Sequence, residues 1–169
     1  SGLVLTPYGH AKTCHGIEVL EGAHPIPDTA GLHTANRILD IAASLDEGDL
    51  LLCLLSGGGS SLLTLPIDEL SLTEKQQITR QLLESGADIS QINCVRKHLS
   101  RIKGGRHAEA AWPGSTFTLM ISDVPDDNPA VIASGPTVAD HSNCADALLI
   151  IDHYGIELNT RIRSLLSDG

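Results

Sequence analysis

The sequence predicts a doubly wound α/β fold, in which a mostly parallel sheet carries helices on both faces. Two observations predict it. Short apolar runs alternate along the chain with longer segments of helical periodicity, which is the pattern of strands joined by crossover helices. The run at residues 50–55 is apolar without a break, as expected for a strand that is covered on both faces.

The first third of the chain is predicted to contain three strands and one helix. Residues 2–5 and 17–20 are short apolar runs bounded by glycine and proline, which indicates strands. Asp28 is a suitable N-cap for a helix that continues to about residue 45, with apolar residues at helical spacing. The apolar run at 50–55 is the third strand.

The rest of the chain is predicted to be mainly helical, with one more strand. Ser71 and Glu74 have the spacing of a capping box, so a helix is expected to begin there and to end at Gly86. Apolar periodicity predicts further helices at 89–99, 105–111, 143–154 and 160–166, and a buried strand at 116–121.

The composition excludes several classes of partner. The chain has 11 Lys and Arg against 21 Asp and Glu, a formal charge of −10, which disfavours nucleic acid and anionic membranes as partners. No apolar run reaches the ~18 to 20 residues that span a bilayer, and residues 1–4 do not look like a signal peptide. The four cysteines are widely spaced, which favours reduced thiols and a cytoplasmic location.

Three glycines follow the strand at 50–55, in the segment Ser56-Gly57-Gly58-Gly59-Ser60, here called the glycine loop. Successive amides without Cβ atoms can line up their N–H groups around an anion, and the serines add hydroxyl donors. The loop is not a Walker loop, because no Gly-Lys-Ser/Thr follows. It is interpreted as a phosphate site, and a tight strand-to-helix turn is the alternative.

Three aspartates follow the strand at 116–121. Asp123 is closest to the strand end and is the candidate catalytic base. Asp126 and Asp127 are candidate ligands of Mg²⁺, which prefers oxygen donors, or they are solvated or helix-capping residues. Ser134 and Gly135 continue the same loop and are candidate contacts to a ligand, as is His24 in the loop after the second strand.

Residues 93–106 contain five of the 11 Lys and Arg residues of this acidic chain. Arg96, Lys97 and Lys103, together with Ser100, are expected to share one edge of a helix at spacings of three or four. Such a local positive field suits phosphate or carboxylate, so these three cations are interpreted as phosphate or substrate ligands. A solvated helical face is the alternative.

These loops together resemble the glycerate 2-kinase family. The matching motifs, nearly end to end and in order, are Thr6-Pro7-Tyr8-Gly9-His10, Ala23-His24-Pro25-Ile26-Pro27-Asp28, Leu55 with the glycine loop, residues 93–105, Ile121-Ser122-Asp123-Val124 and Ile132-Ala133-Ser134-Gly135-Pro136-Thr137.

The resemblance implies transfer of the γ-phosphoryl group of ATP to glycerate, giving 2-phosphoglycerate, with Mg²⁺. It implies a Rossmann-like N-terminal domain, of which residues 1–169 are the central and C-terminal part, hence an incomplete domain. Asp123 matches the family's acidic catalytic position, and the glycine loop matches its phosphate-handling turn. A homo-oligomer is compatible with it.

The resemblance also implies missing parts. The family's catalytic lysine lies upstream of residue 1, and an essential arginine comes from a C-terminal domain that is absent, so the 169 residues alone are expected to be inactive. Two other functions stay open. One is the hydroxypyruvate reductase activity for which some members were formerly named, although the chain has no Gly-x-Gly-x-x-Gly after a strand. The other is a non-catalytic binding or structural fragment.

Overall fold

A computed structural model describes residues 1–168. Its strands are β1 (Gly2–Pro7), β2 (Ile17–Gly22), β3 (Leu50–Leu55) and β4 (Ser115–Met120). Its helices are α1 (Thr29–Ala43), α2 (Gly59–Leu62), α3 (Leu72–Glu84), α4 (Ile89–His98), α5 (Arg106–Ala110), α6 (Cys144–His153) and α7 (Thr160–Asp168). Short 3-10 turns lie at Pro125–Asp127 and Ile132–Ser134. Every element expected from the sequence is present, and the four-residue helix α2 was not expected.

The strands are parallel, which confirms the predicted α/β class. In the described part of the chain, however, they form two separate pairs rather than one sheet: β1 pairs with β2, and β3 pairs with β4. The register places Leu52 beside Phe117 and Leu54 beside Leu119. Because each pair is parallel, the carboxyl ends of its two strands lie at the same edge.

The prediction that β3 and β4 are covered on both faces is wrong for the described residues. Successive side chains of a strand point to opposite faces, and here only one face is packed. Cys53 is buried on that face, and its Sγ lies 3.9 Å from Nδ1 of His107 in α5. The other face exposes six large apolar side chains: Leu50, Leu52, Leu54, Phe117, Leu119 and Ile121.

Local hydrogen bonds explain where the helices begin. Asp28 caps α1 by accepting from the Gly31 amide at 2.8 Å. Ser71 and Glu74 form the capping box that begins α3, as the sequence predicts. Asp88 begins α4 and Asn143 begins α6 with the same reciprocal arrangement. Each such cap satisfies amides that the first turn leaves without partners.

The main core lies between the helices that follow the glycine loop. Ile78 and Leu82 of α3 pack with Val95 of α4, Ile151 of α6 and Ile162 of α7. A smaller cluster places Ala35 of α1 against Leu63, Leu65 and Ile102. Among residues 1–168, no helix combines the length and apolar character required to cross a membrane.

Candidate active site

The loops that leave the strands converge, as the sequence predicts. His24 follows β2, the glycine loop follows β3 and Asp123 follows β4. The ends of parallel strands are the usual location of ligand sites in α/β proteins. The arrangement therefore brings a histidine, a row of amides and a carboxylate to one place.

The glycine loop is a sharp strand-to-helix connection. Gly58 has φ of 76°, a left-handed conformation that favours glycine, and it is the N-cap of α2. The Gly59 amide donates to the Ser56 carbonyl at 3.2 Å, and the Ser61 amide donates to the Gly58 carbonyl at 3.2 Å. The amides of Gly57 and Gly58 take no backbone partner among the described residues. These two N–H groups are available to an anion.

Asp123 lies directly against Gly57. A Cβ atom placed on Gly57 would overlap the carboxylate and lie 2.5 Å from its Cγ. Position 57 therefore accepts only glycine while Asp123 keeps this position. Asp123 itself is exposed, so its carboxylate meets solvent beside the loop amides. This contact joins the two segments that the sequence singled out as catalytic and phosphate-binding.

His24 covers the next glycine. A Cβ on Gly58 would lie 2.8 Å from Nε2 of His24, so the imidazole and the loop backbone are in close contact. His24 is exposed, and its peptide bond to Pro25 is cis. The histidine is therefore placed where the sequence expected a loop contact, on the same stretch of backbone as Asp123.

Ser134 anchors the glycine loop from below. Its hydroxyl is fully buried and donates to Oδ1 of Asn93 at 2.8 Å, and it lies 2.6 Å from the hydroxyl of Ser60. Since the single proton of Ser134 is used on Asn93, the hydroxyl of Ser60 is the donor to Ser134. Asn93 in turn donates to the Val131 carbonyl at 3.3 Å, which fixes its amide orientation.

Ser134 and Gly135 are buried, so they support the glycine loop and are not exposed to a ligand. The Gly104 and Gly105 amides donate to the carbonyls of Ser134 and Gly135 at 3.2 and 2.9 Å. Both residues, like Ala133, have left-handed backbone conformations. Left-handed non-glycine residues are costly and persist where the surroundings hold them. The pair braces the loop, where the sequence suggested contact with a ligand.

The serine hydroxyls of the glycine loop are less available than the sequence suggested. Ser60 donates to Ser134, as argued above, and Ser61 donates to the Gly58 carbonyl at 3.0 Å. Both hydroxyl protons therefore stabilise the loop itself. Ser56 is exposed at the strand end, so its hydroxyl remains accessible to a ligand.

The basic segment does not form a single helix edge, so that prediction is wrong. Helix α4 ends at His98, and Lys103 lies beyond it in a buried turn. Nζ of Lys103 donates to the Ser60 carbonyl at 2.7 Å, directly beneath the glycine loop. Arg96 and Lys103 line a common small cavity with Ser60, so two of the three predicted cations do meet.

Lys97 forms an ion pair with Asp140, away from the glycine loop. Its ammonium donates to Oδ1 of Asp140 at 2.6 Å, and both side chains are largely buried. Ser142 also donates to the same oxygen. Burial opposes ionisation of Asp140, but the hydrogen bonds from Lys97 and Ser142 leave its pKa below the ordinary value. The structure therefore assigns Lys97 to a buried ion pair and not to the phosphate site expected from the sequence.

We expect Lys97→Met to destabilise the fold by about 3–5 kcal/mol, because it leaves Asp140 buried without its counter-charge. Urea unfolding at neutral pH measures this. The lowered pKa of Asp140 means that the pair contributes above the unfolded pKa and is lost as pH falls through the folded one. The difference between wild type and variant should therefore shrink in acid.

Arg101→Met is the matched control, since its bond to Asp68 joins two exposed side chains and should contribute less than about 1 kcal/mol. A Lys97→Met variant that unfolds like the wild type but no longer binds phosphate would contradict the structural assignment.

Lys75 was missed by the sequence reading. It is 5% exposed, and it lines the same cavity as Arg96 and Lys103. In the sequence, Lys75 looks like an ordinary surface lysine, because it lies in the first turn of a capped, amphipathic helix. Only its neighbours in space distinguish it, and those come from α4 and the turn after it.

Asp126 and Asp127 lie further out in the loop after β4. Both are exposed and both have positive φ, 64° and 50°. Within residues 1–168, no group of three or more His, Cys, Asp or Glu side chains is arranged to hold a metal ion. The two carboxylates suit Mg²⁺ chemically, provided that phosphate oxygens or water supply the other ligands. Their role as metal ligands stays a prediction.

Comparison with known proteins gives a consistent set of relatives. A family model described as "Domain of unknown function (DUF4147)" matches residues 1–167. A D-glycerate 2-kinase of Thermotoga maritima is 47% identical over 163 residues, and the rat glycerate kinase is 44% identical over 168. An Agrobacterium vitis protein, provisionally named a hydroxypyruvate reductase, is 51% identical over 169 residues.

The likeness extends to the solved structures. The crystal structure of the Thermotoga maritima glycerate kinase superimposes with a TM-score of 0.92 at 46% identity, covering 98% of this chain and 40% of that one. The sequence matches cover 96% of this chain with the Thermotoga enzyme and 98% with the rat enzyme. They cover only 39% and 31% of those relatives, so the chain spans well under half of their length.

Proposed function

The chain belongs to the DUF4147 family, and on that premise we propose that it carries part of the active site of a kinase that phosphorylates glycerate with ATP, giving 2-phosphoglycerate and ADP. The observation that carries the proposal is the contact between Asp123 and Gly57. It places a carboxylate beside free backbone amides, and phosphoryl transfer needs both a positioned nucleophile and stabilised phosphate oxygens.

In this proposal the amides of Gly57 and Gly58 bind phosphate oxygens. The carboxylate of Asp123 accepts the proton of the glycerate hydroxyl while that oxygen bonds to the γ-phosphorus and the bond to ADP breaks. His24, which touches Gly58, orients the loop or contacts the substrate. Arg96 and Lys103 contribute positive charge beneath the loop.

A carboxylate beside a phosphate site creates repulsion unless a cation or a proton intervenes. Asp126 and Asp127 are exposed carboxylates on the loop that carries Asp123, so they are the residues assigned to hold this cation. Asp126 and Asp127 would hold Mg²⁺ in this proposal, and the ion would supply positive charge against the phosphate oxygens. The chain's own part is then to present oxygen donors at the mouth of the glycine loop.

The proposal also concerns what lies outside these residues. The relatives are more than twice as long as the matched segment, and the family resemblance implies a lysine and an arginine from those other parts. We therefore propose that the 169 residues act within a longer polypeptide that includes a C-terminal domain, in the cytoplasm where ATP is available.

The direct test incubates the complete protein with ATP, Mg²⁺ and glycerate and identifies the product by ³¹P NMR. We expect 2-phosphoglycerate, formed only when both ATP and glycerate are present. The 169 residues alone should give no turnover, and their activity would contradict the need for other parts of the polypeptide.

A reductase is the second candidate, because a 51% identical relative carries that name. The same protein should show no change in NADH fluorescence on titration and no NADH oxidation with hydroxypyruvate. NADH-dependent reduction of hydroxypyruvate without any ATP-dependent product would replace the kinase proposal.

A further inference from the structure

Three cationic side chains converge on one small cavity beneath the glycine loop. Lys75 comes from α3, Arg96 from α4 and Lys103 from the turn after α4. The cavity has a volume of ≈ 10 Å³ and is also lined by Ser60, Ser61, Thr64, Thr79 and Pro27. Lys75 and Lys103 are 5% and 1% exposed, so at least two ammonium groups are withdrawn from water.

No carboxylate balances this charge among the described residues. Lys75, Arg96 and Lys103 form no ion pair there, and the 2.7 Å bond from Lys103 goes to a neutral carbonyl, that of Ser60. Burial, followed by the charge of Arg96, lowers the pKa of Lys75 to about 7. Burial, followed by the charges of Lys75 and Arg96, lowers the pKa of Lys103 as well. The three groups repel one another.

The other buried lysine of the chain is treated differently. Lys97 is paired with Asp140 at 2.6 Å, as buried charges usually are. The fold therefore supplies a counter-charge for Lys97 and leaves a net positive cluster around the cavity. A buried cluster of one sign requires either loss of protons or a bound anion.

The lining also favours an anion over water. The Thr64 hydroxyl donates to the Ser61 carbonyl at 2.6 Å, the Thr79 hydroxyl donates to the Lys75 carbonyl at 2.8 Å, and Ser61 donates to Gly58. These hydroxyl protons are thus used on the backbone. The hydrogen-bond donors left for a guest are ammonium and guanidinium groups, which cannot accept hydrogen bonds.

We propose that this cavity is a binding site for one small inorganic anion of halide size, held by Lys75, Arg96 and Lys103. Its volume of ≈ 10 Å³ is about that of one water-sized sphere, which favours a monatomic anion over a phosphate or carboxylate group. Ser60 and Ser61 belong both to the cavity lining and to the base of the glycine loop. The anion would therefore support the loop from beneath, on a site of its own, and take no part in bond making.

The test compares chloride with gluconate at constant ionic strength and pH 6, where Lys75 is protonated, using the complete protein. Chloride should raise the thermal midpoint, and the ³⁵Cl resonance of the solution should broaden. Lys75→Met, which keeps an unbranched side chain of similar length, should abolish both effects or weaken chloride binding at least tenfold. Lys12→Met, at an exposed lysine, should retain them.

Arg96→Met removes a second of the three charges and gives an independent measurement if Lys75→Met does not fold. It too should weaken chloride binding. Wild-type protein that ignores chloride, or variants that respond as the wild type does, would overturn the proposal. Sulfate acting as strongly as chloride would overturn the size argument. Competitive displacement of chloride by glycerate would assign the cavity to the substrate instead. Failure of the kinase test would leave the chloride measurement unaffected.

Discussion

Replacing Asp123 by asparagine in the complete protein should lower the turnover number about 10²- to 10⁴-fold, the usual contribution of a positioned general base. Asparagine keeps the size of the side chain beside Gly57 but cannot accept the hydroxyl proton. The affinity for ATP should change little, because the amides of the glycine loop remain in place. Steady-state kinetics with a separate nucleotide titration distinguishes the two effects.

Asp40→Asn is the matched control for this substitution. Asp40 is exposed on α1 and bonded only to Asn36 among the described residues, so turnover should be unchanged. If Asp123→Asn retains its turnover number, or loses activity only through weaker ATP binding, Asp123 is not the base.

Gly57→Ala should reduce turnover about 10²-fold while the protein stays folded. The new methyl group overlaps the carboxylate of Asp123, and a displacement of about 1 Å at a reacting group costs roughly this much. Gly57 is not among the residues of positive φ, and Asp123 is exposed, so the side chain can move into solvent without unfolding the loop. Circular dichroism and urea unfolding verify the fold.

The double variant Gly57→Ala/Asp123→Asn sharpens this test. If the methyl group acts only by displacing the base, the double variant should be no slower than Asp123→Asn alone. Gly2→Ala is the control, because its Cβ meets only the exposed side chain of Ile17, at 3.3 Å. Independent, multiplicative losses would show that Gly57 serves another purpose, such as direct approach of phosphate.

The secondary structure was predictable because its signals are local. Asp28 and the Ser71–Glu74 capping box each fix a helix start within four residues of sequence, and both are present. The covering of β3 was not predictable in this way. An unbroken apolar run reports side chains that avoid water, but it cannot say which segments lie against each face, and Leu52 and Leu54 are exposed here.

The candidate site was predictable only in part for the same reason. The rule that loops meet at strand ends brought Asp123 and the glycine loop together correctly. Helical spacing misplaced Lys103, because α4 ends at His98 and the next turn changes the direction of the chain. It also could not show that Lys97 pairs with Asp140. Lys75 could not be found at all, since its role depends on Arg96, more than twenty positions away.

The bare side of the β3–β4 pair has a practical consequence for the 169 residues when they are handled alone. This exposed apolar surface can associate with the same surface of a second copy. It consists of Leu50, Leu52, Leu54, Phe117, Leu119 and Ile121. Hydrophobic attraction weakens on cooling, so the isolated 169 residues should aggregate most readily in warm, concentrated samples. Cold and dilution should keep the copies apart.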